Sequence, residues 1–170
     1  NVIAGQGTAA LEMIEDLGNL DAMIAPIGGG GLMSGTCITT RSLLPNAKLF
    51  GAEPEGADDA YRSLKEGKML PQESPNTICD GLLTSLGENT WNILKDHLNA
   101  IYTVSDDEVI KAMKLIWERM KIIVEPSSAV TLAALLQNKI KFENKQIGII
   151  ISGGNVDLDR LPWLAVPKDN

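Results

Sequence analysis

Three short stretches of the sequence carry residue types that can do chemistry. Gly28, Gly29, Gly30 and Gly31 follow an apolar run and precede a segment of helical period. A turn without side chains leaves backbone N–H groups open to a ligand, and the helix behind it adds the positive end of its dipole. This chemistry suits an anion, a phosphate above all. One or two glycines suffice for a tight strand-to-helix turn, so this run favours anion binding over a purely structural turn. Ser152-Gly153-Gly154-Asn155 sets a hydroxyl directly after another apolar run. Open α/β sheets collect ligands at such strand ends, although a turn cap accounts for this stretch equally well on its own. The third stretch is acidic: Glu53, Glu55, Asp58 and Asp59 cluster around Pro54. Oxygen donors at that density suit a hard cation. Asp58 and Asp59 equally suit the N-terminus of the helix that follows them.

A dinucleotide site is the rival for the glycine run, because Glu53 follows Gly28 by about the interval at which an acidic ribose partner stands. The glycine register argues against it. With Gly28 and Gly30 as the first two positions the third is Met33, and with Gly29 and Gly31 it is Ser34.

These residues need a scaffold, and the apolar pattern supplies one. Ala22–Ile27, Lys48–Glu53, Ala100–Val104 and Gln146–Ile151 are runs of strand length. Between them the spacing predicts helices over 7–17, 32–44, 57–66 and 90–98, with Gly67–Pro75 a loop. Ser105 and Glu108 form a capping box for a further helix with an Ile110, Met113, Ile116/Trp117, Met120 stripe. Pro126 breaks its continuation, and Ser127 or Ser128 is placed to cap another helix reaching Leu136. Alternation of this kind predicts an α/β fold with a mainly parallel sheet, read as a single domain over 1–170 or part of one.

Composition narrows the partners. The chain has 170 residues with 15 basic and 22 acidic side chains, a formal charge of −7. That balance, without a basic cluster, argues against a nucleic-acid partner. Apolar stretches such as Ile147–Ile151 fall far short of the ~20 residues a membrane helix needs, so no membrane partner is expected. Cys37 and Cys79 have no partner at metal spacing and follow no secretory leader. They read as reduced, buried thiols of a cytoplasmic protein. His97 stands near the end of a short helix among Lys95, Asp96 and Asn99, a setting for a capping or solvated histidine rather than a hydrolase triad.

Several motifs share a further property. Ile3-Ala4-Gly5-Gln6-Gly7-Thr8, the glycine run, Ala52-Glu53-Pro54-Glu55-Gly56-Ala57-Asp58-Asp59, Asp80-Gly81, Trp117-Glu118-Arg119-Met120-Lys121, Glu125-Pro126 and Ser152-Gly153-Gly154-Asn155-Val156-Asp157 occur in that order. Together they resemble the carboxyl-terminal half of the fold type II pyridoxal-phosphate enzymes, the family of serine racemases and serine/threonine dehydratases. The resemblance covers nearly the whole chain and implies the large, cofactor-binding domain of such an enzyme. In that family Gly28, Gly29, Gly30 and Gly31 would cradle the cofactor phosphate, and Ser152 would hydrogen-bond the pyridine nitrogen. A neutral hydroxyl does not keep that nitrogen protonated as a carboxylate would, which weakens the ring as an electron sink.

The resemblance further implies a Mg²⁺, Mn²⁺ or Ca²⁺ site from Glu53, the backbone carbonyl of Ala57, and Asp59. A second cation site would use Asp21 and Asn89. Lys121 and Asn155 would contact an activating ATP at a homodimer interface, a solvated lysine and a turn asparagine being the plainer alternative. The implied reaction interconverts L- and D-serine, with β-elimination of serine to pyruvate and ammonia. Threonine dehydratase and hydroxyaspartate ammonia-lyase or racemase are the alternatives within the family. A nucleotide-binding regulatory module is the alternative outside it. No lysine here, Lys65, Lys111, Lys114 and Lys145 included, sits in the Ser/Asn-rich motif that holds a Schiff base. That lysine and an opposing serine are expected upstream, and the chain alone is expected to be inactive.

Overall fold

The computed structural model describes residues 1–137 and 142–164. In chain order the elements are α1 (Val2–Leu17), β1 (Ala22–Pro26), α2 (Gly31–Leu43), β2 (Lys48–Pro54), α3 (Asp59–Glu66), α4 (Glu88–His97), β3 (Ala100–Val104), α5 (Asp106–Met120), α6 (Pro126–Leu136) and β4 (Ile147–Ile149). Short 3₁₀ turns cover Asp80–Leu82 and Leu158–Arg160. The strands form one parallel sheet in the order β3-β2-β1-β4, with Ile24 opposite both Phe50 and Ile149.

Helices cover both faces, so β1 is buried along its whole length, as a parallel strand sealed on two sides must be. Its residues alternate between two cores. Ala22 and Ile24 pack with Phe50, Val104 and the inner faces of α5 and α6. Met23 and Ala25 pack with Leu49, Ile101 and residues of α1, α2 and α4. Successive strands β1, β2 and β3 step one way across the sheet, and β4 returns to the other side of β1. The carboxyl ends of β1 and β4 therefore flank the point where strand order reverses, the place where open α/β sheets bind ligands.

Several element boundaries differ from expectation, each for a tertiary reason. Helix α1 begins at Val2 and takes Gly5 and Gly7 into its interior. A Cβ on Gly35 of α2 would stand 2.5 Å from the Gly7 nitrogen and 2.5 Å from the Ile3 carbonyl oxygen, so the two helices meet backbone to backbone. In α5 the buried stripe is Val109, Ala112, Met113 and Ile116, while Met120 is exposed. The Ser105–Glu108 capping box is present, with the Ser105 amide donating to Glu108 Oε2 at 2.8 Å. Helix α6 is capped at Glu125 with Pro126 in its first turn, not at Ser127 or Ser128. Strand β4 pairs only over Ile147–Ile149, because the chain diverges from β1 after Ile150 donates to the Ile24 carbonyl at 3.0 Å.

Candidate functional site

The glycine turn leaves β1 at the reversal point. Gly30 has φ +83°, and a Cβ there would lie 2.8 Å from the Cβ of Thr90, so the turn admits no side chain at that position. Gly28 is nearly as confined, its missing Cβ standing 3.1 Å from the Gly81 carbonyl oxygen and 3.3 Å from the Leu82 Cα. Helix α2 opens without a side-chain cap. Among the described residues no protein acceptor meets the amides of Gly28, Gly29, Gly30 or Gly31, and the first amide engaged is that of Ser34, on the Gly30 carbonyl at 2.9 Å. Unspent donors at the positive end of a helix are the chemistry of an anion cradle. The residues present fit a phosphate.

Ser152 follows β4, the strand beside β1, and is exposed. Its Oγ lies 3.4 Å from Ser128 Oγ at the start of α6. Glu125 holds the rest of the turn. Its amide donates to the Gly153 carbonyl at 3.1 Å, and its Oε2 accepts from the Asn155 amide at 2.9 Å. A Cβ on Gly153 would stand 2.7 Å from Glu125 Oε1, and one on Gly154 2.6 Å from the Ile123 carbonyl oxygen.

The acidic stretch folds into a buried carboxylate pair. Glu53 is fully buried and takes the amides of Ala60 and Tyr61 at 3.2 and 2.7 Å, satisfying the first turn of α3 from a distance. Asp58 makes no capping bond and pairs with Arg62 at 2.8 Å instead. Asp59, 1% exposed, accepts from the Leu86 amide through Oδ2 at 2.9 Å, while its buried Oδ1 has no partner among the described residues. Burial pushes both carboxyls above their ordinary values; amide bonds oppose the rise, and the Asp59 charge adds to it at Glu53. Ala57 lies buried between them in sequence. Among the described residues no group of three or more His, Cys, Asp or Glu side chains stands together, so an ion here would draw on two carboxylates, a carbonyl and water. The orphaned Asp59 oxygen fits such an ion. Each Glu53 oxygen accepts one amide of α3 and keeps a second lone pair that such an ion could use.

Other expected residues are dispersed. Asp21 sits at the amino end of β1, bound to Lys145 Nζ and the Gln146 amide, each at 2.9 Å. Asn89 lies in the first turn of α4, at the carboxyl end of the sheet, so the fold does not bring the two together. Lys121 ends α5 in the left-handed region (φ 60°), and Asn155 is exposed beyond the serine turn. His97 closes α4, its carbonyl accepting from Arg41 at 2.8 Å. Cys37 and Cys79 are free and buried, as expected.

Apart from Asp80-Gly81, the sequence pattern does not single out the segment that roofs the glycine turn. A Cβ on Gly56 would fall 1.9 Å from the Asn76 carbonyl oxygen, Asp106 accepts from Thr77 Oγ1 and the Ile78 amide, and Ser127 Oγ accepts from the Gly81 amide at 3.0 Å. These bonds tie residues 76–81 across the carboxyl ends of the strands. Thr90 fastens the next part, its Oγ1 lying 2.8 Å from the Gly29 carbonyl oxygen and accepting from the Gly87 amide at 3.1 Å.

The family model for pyridoxal-phosphate-dependent enzymes matches residues 1–153. A serine racemase of Dictyostelium discoideum is 58% identical over 164 residues, 94% of this chain and 51% of that protein. A beta-hydroxyaspartate dehydratase of Paracoccus denitrificans (strain Pd 1222) is 54% identical over 162 residues, 95% of this chain and 51% of that protein. The crystal structure of the Dictyostelium serine racemase superposes with a TM-score of 0.87 at 59% identity, covering 92% of this chain and 50% of that one. The chain thus spans about half the length of the curated relatives it matches.

Proposed function

The chain belongs to the pyridoxal-phosphate-dependent enzymes, and from that premise we propose that it holds the cofactor in a serine racemase that also eliminates water from serine to give pyruvate and ammonia. The observation that carries this reading is the run of unengaged amides at Gly28–Gly31, beside the strand that leads to Ser152. Those amides bind the phosphate monoester, and the Ser152 hydroxyl meets the ring nitrogen. When bound, pyridoxal phosphate supplies the electron withdrawal that acidifies the Cα–H of an amino acid joined to it. The protein's own part is to fix the phosphate, present a neutral hydroxyl to the ring, and roof the turn with residues 79–87. Glu53, Asp59 and the Ala57 carbonyl bind Mg²⁺ or a similar hard cation, for which the spare Asp59 oxygen is the support. ATP contact by Lys121 and Asn155, and assembly as a homodimer, belong to the same reading.

The dehydratase relative favours a second reading, elimination from a β-hydroxyaspartate, on the same cofactor geometry. Supplying the intact protein with L-serine, L-threonine and β-hydroxyaspartate separates the two. D-serine together with pyruvate is the expected product set. Keto acid from hydroxyaspartate alone, without D-serine, would replace the first reading by the second.

A further inference from the structure

Ser128 is fully buried in the first turn of α6, yet its hydroxyl is committed to the loop after β4. It donates to the Gly153 carbonyl at 2.8 Å and accepts from the Gly153 amide at 2.6 Å, gripping both polar groups of the residue that follows Ser152. A serine hydroxyl has one proton and two lone pairs. With its proton on Gly153, Ser128 has none for Ser152, so the 3.4 Å contact between the two hydroxyls runs with Ser152 as donor. That contact is well beyond the usual 2.7–2.8 Å of an O–H···O bond. The Ser152 hydroxyl is therefore held only weakly by Ser128 and turns readily to donate to a better acceptor.

We infer that Ser128 is a positioning residue for Ser152: it clamps the Gly153 peptide and leaves the Ser152 proton as the only one available along that line. The inference rests on the reading of Ser152 as the partner of the cofactor ring nitrogen. An unprotonated ring nitrogen is the acceptor that draws the Ser152 hydroxyl away from Ser128. Loss of the Ser128 hydroxyl frees the Gly153 peptide and lets Ser152 rotate.

The test is a cycle of Ser128→Ala, Ser152→Ala and the double variant in the intact protein. The readouts are the dissociation constant of pyridoxal phosphate and the absorbance and emission of the bound cofactor. We expect Ser128→Ala to weaken binding roughly three- to tenfold and to shift the spectrum toward that of Ser152→Ala, with no further change in the double variant. Equal losses from Ser128→Ala with and without Ser152, or no spectral change from Ser128→Ala, would overturn the inference. An unchanged spectrum in Ser152→Ala would instead remove the underlying reading of Ser152, and the inference with it. If Ser128→Ala does not fold, Ser128→Cys, close in size and a poor hydrogen-bonding group, goes through the same cycle with the same outcomes.

Discussion

Thr90 Oγ1 stands 2.8 Å from the carbonyl oxygen of Gly29, joining the start of α4 to the middle of the glycine turn. The same oxygen accepts from the Gly87 amide, so one hydroxyl fixes the turn and the end of the segment above it. Thr90→Val keeps the shape and removes both bonds. We predict a folded protein whose dissociation constant for pyridoxal phosphate rises about three- to tenfold, a net loss of about 1 kcal/mol. Fluorescence titration of the intact variant checks this, and unchanged affinity would separate Thr90 from the cradle.

The Glu53–Asp59 pair links cation, proton and stability. Burial holds the Glu53 carboxyl well above its ordinary value, against the pull of the Tyr61 amide. The folded state therefore keeps a proton that the unfolded chain releases above about pH 4, and stability declines as pH rises from there through the raised value. A divalent cation bound there, as proposed, would replace that proton. Added MgCl₂ should raise the melting temperature at neutral pH and release protons into a weakly buffered solution. Asp59→Asn should abolish both responses, and an identical melting curve with MgCl₂ and with EDTA would count against the site.

Asp21 behaves in the opposite sense. The Gln146 amide and then Lys145 hold its carboxyl below the ordinary carboxylate range. Its contribution is present above the unfolded value of about 3.9 and lost as pH falls through the lowered folded value. Asp21→Asn should lower the melting temperature slightly at pH 7, and the gap from wild type should close in strong acid. A gap independent of pH would mean that packing, not charge, joins the amino ends of β1 and β4.

Burial pushes the Cys37 and Cys79 thiols up to about 12. Neither is a thiolate at neutral pH, so both are inert while the fold persists. Iodoacetamide at pH 8 should leave the native mass unchanged at these two positions and alkylate both in guanidinium chloride. Modification of either in the native protein would show that its core opens locally.

Gly35→Ala should be costly despite the better helix propensity of alanine, because the new methyl meets the Gly7 amide and the Ile3 carbonyl. Separation of α1 from α2 should cost about 1–3 kcal/mol. Chemical denaturation of variant and wild type measures the difference, and a stabilised variant would contradict the close helix contact.

The sheet was legible because every strand is an apolar run punctuated by glycine, proline or a charged loop, and parallel burial leaves that mark in the sequence. The glycine turn and the Ser105–Glu108 cap were legible because their chemistry is local. Thr90, Ser128 and Asp106 were not, since each acts on backbone groups distant in sequence and no spacing announces such a bond. Gly7 looked like a helix boundary by propensity; only the neighbouring helix explains a glycine inside α1. Glu53 and Asp59 were visible as acidic residues, but the sealed amides and the spare oxygen emerged only from α3 folding back onto β2.

The glycine turn leaves β1 and the serine turn follows β4, strands far apart in the chain yet neighbours in the sheet. The glycine turn therefore lacks its companion until β4 has docked against β1. Capture of a ligand that touches both turns would wait for the finished sheet.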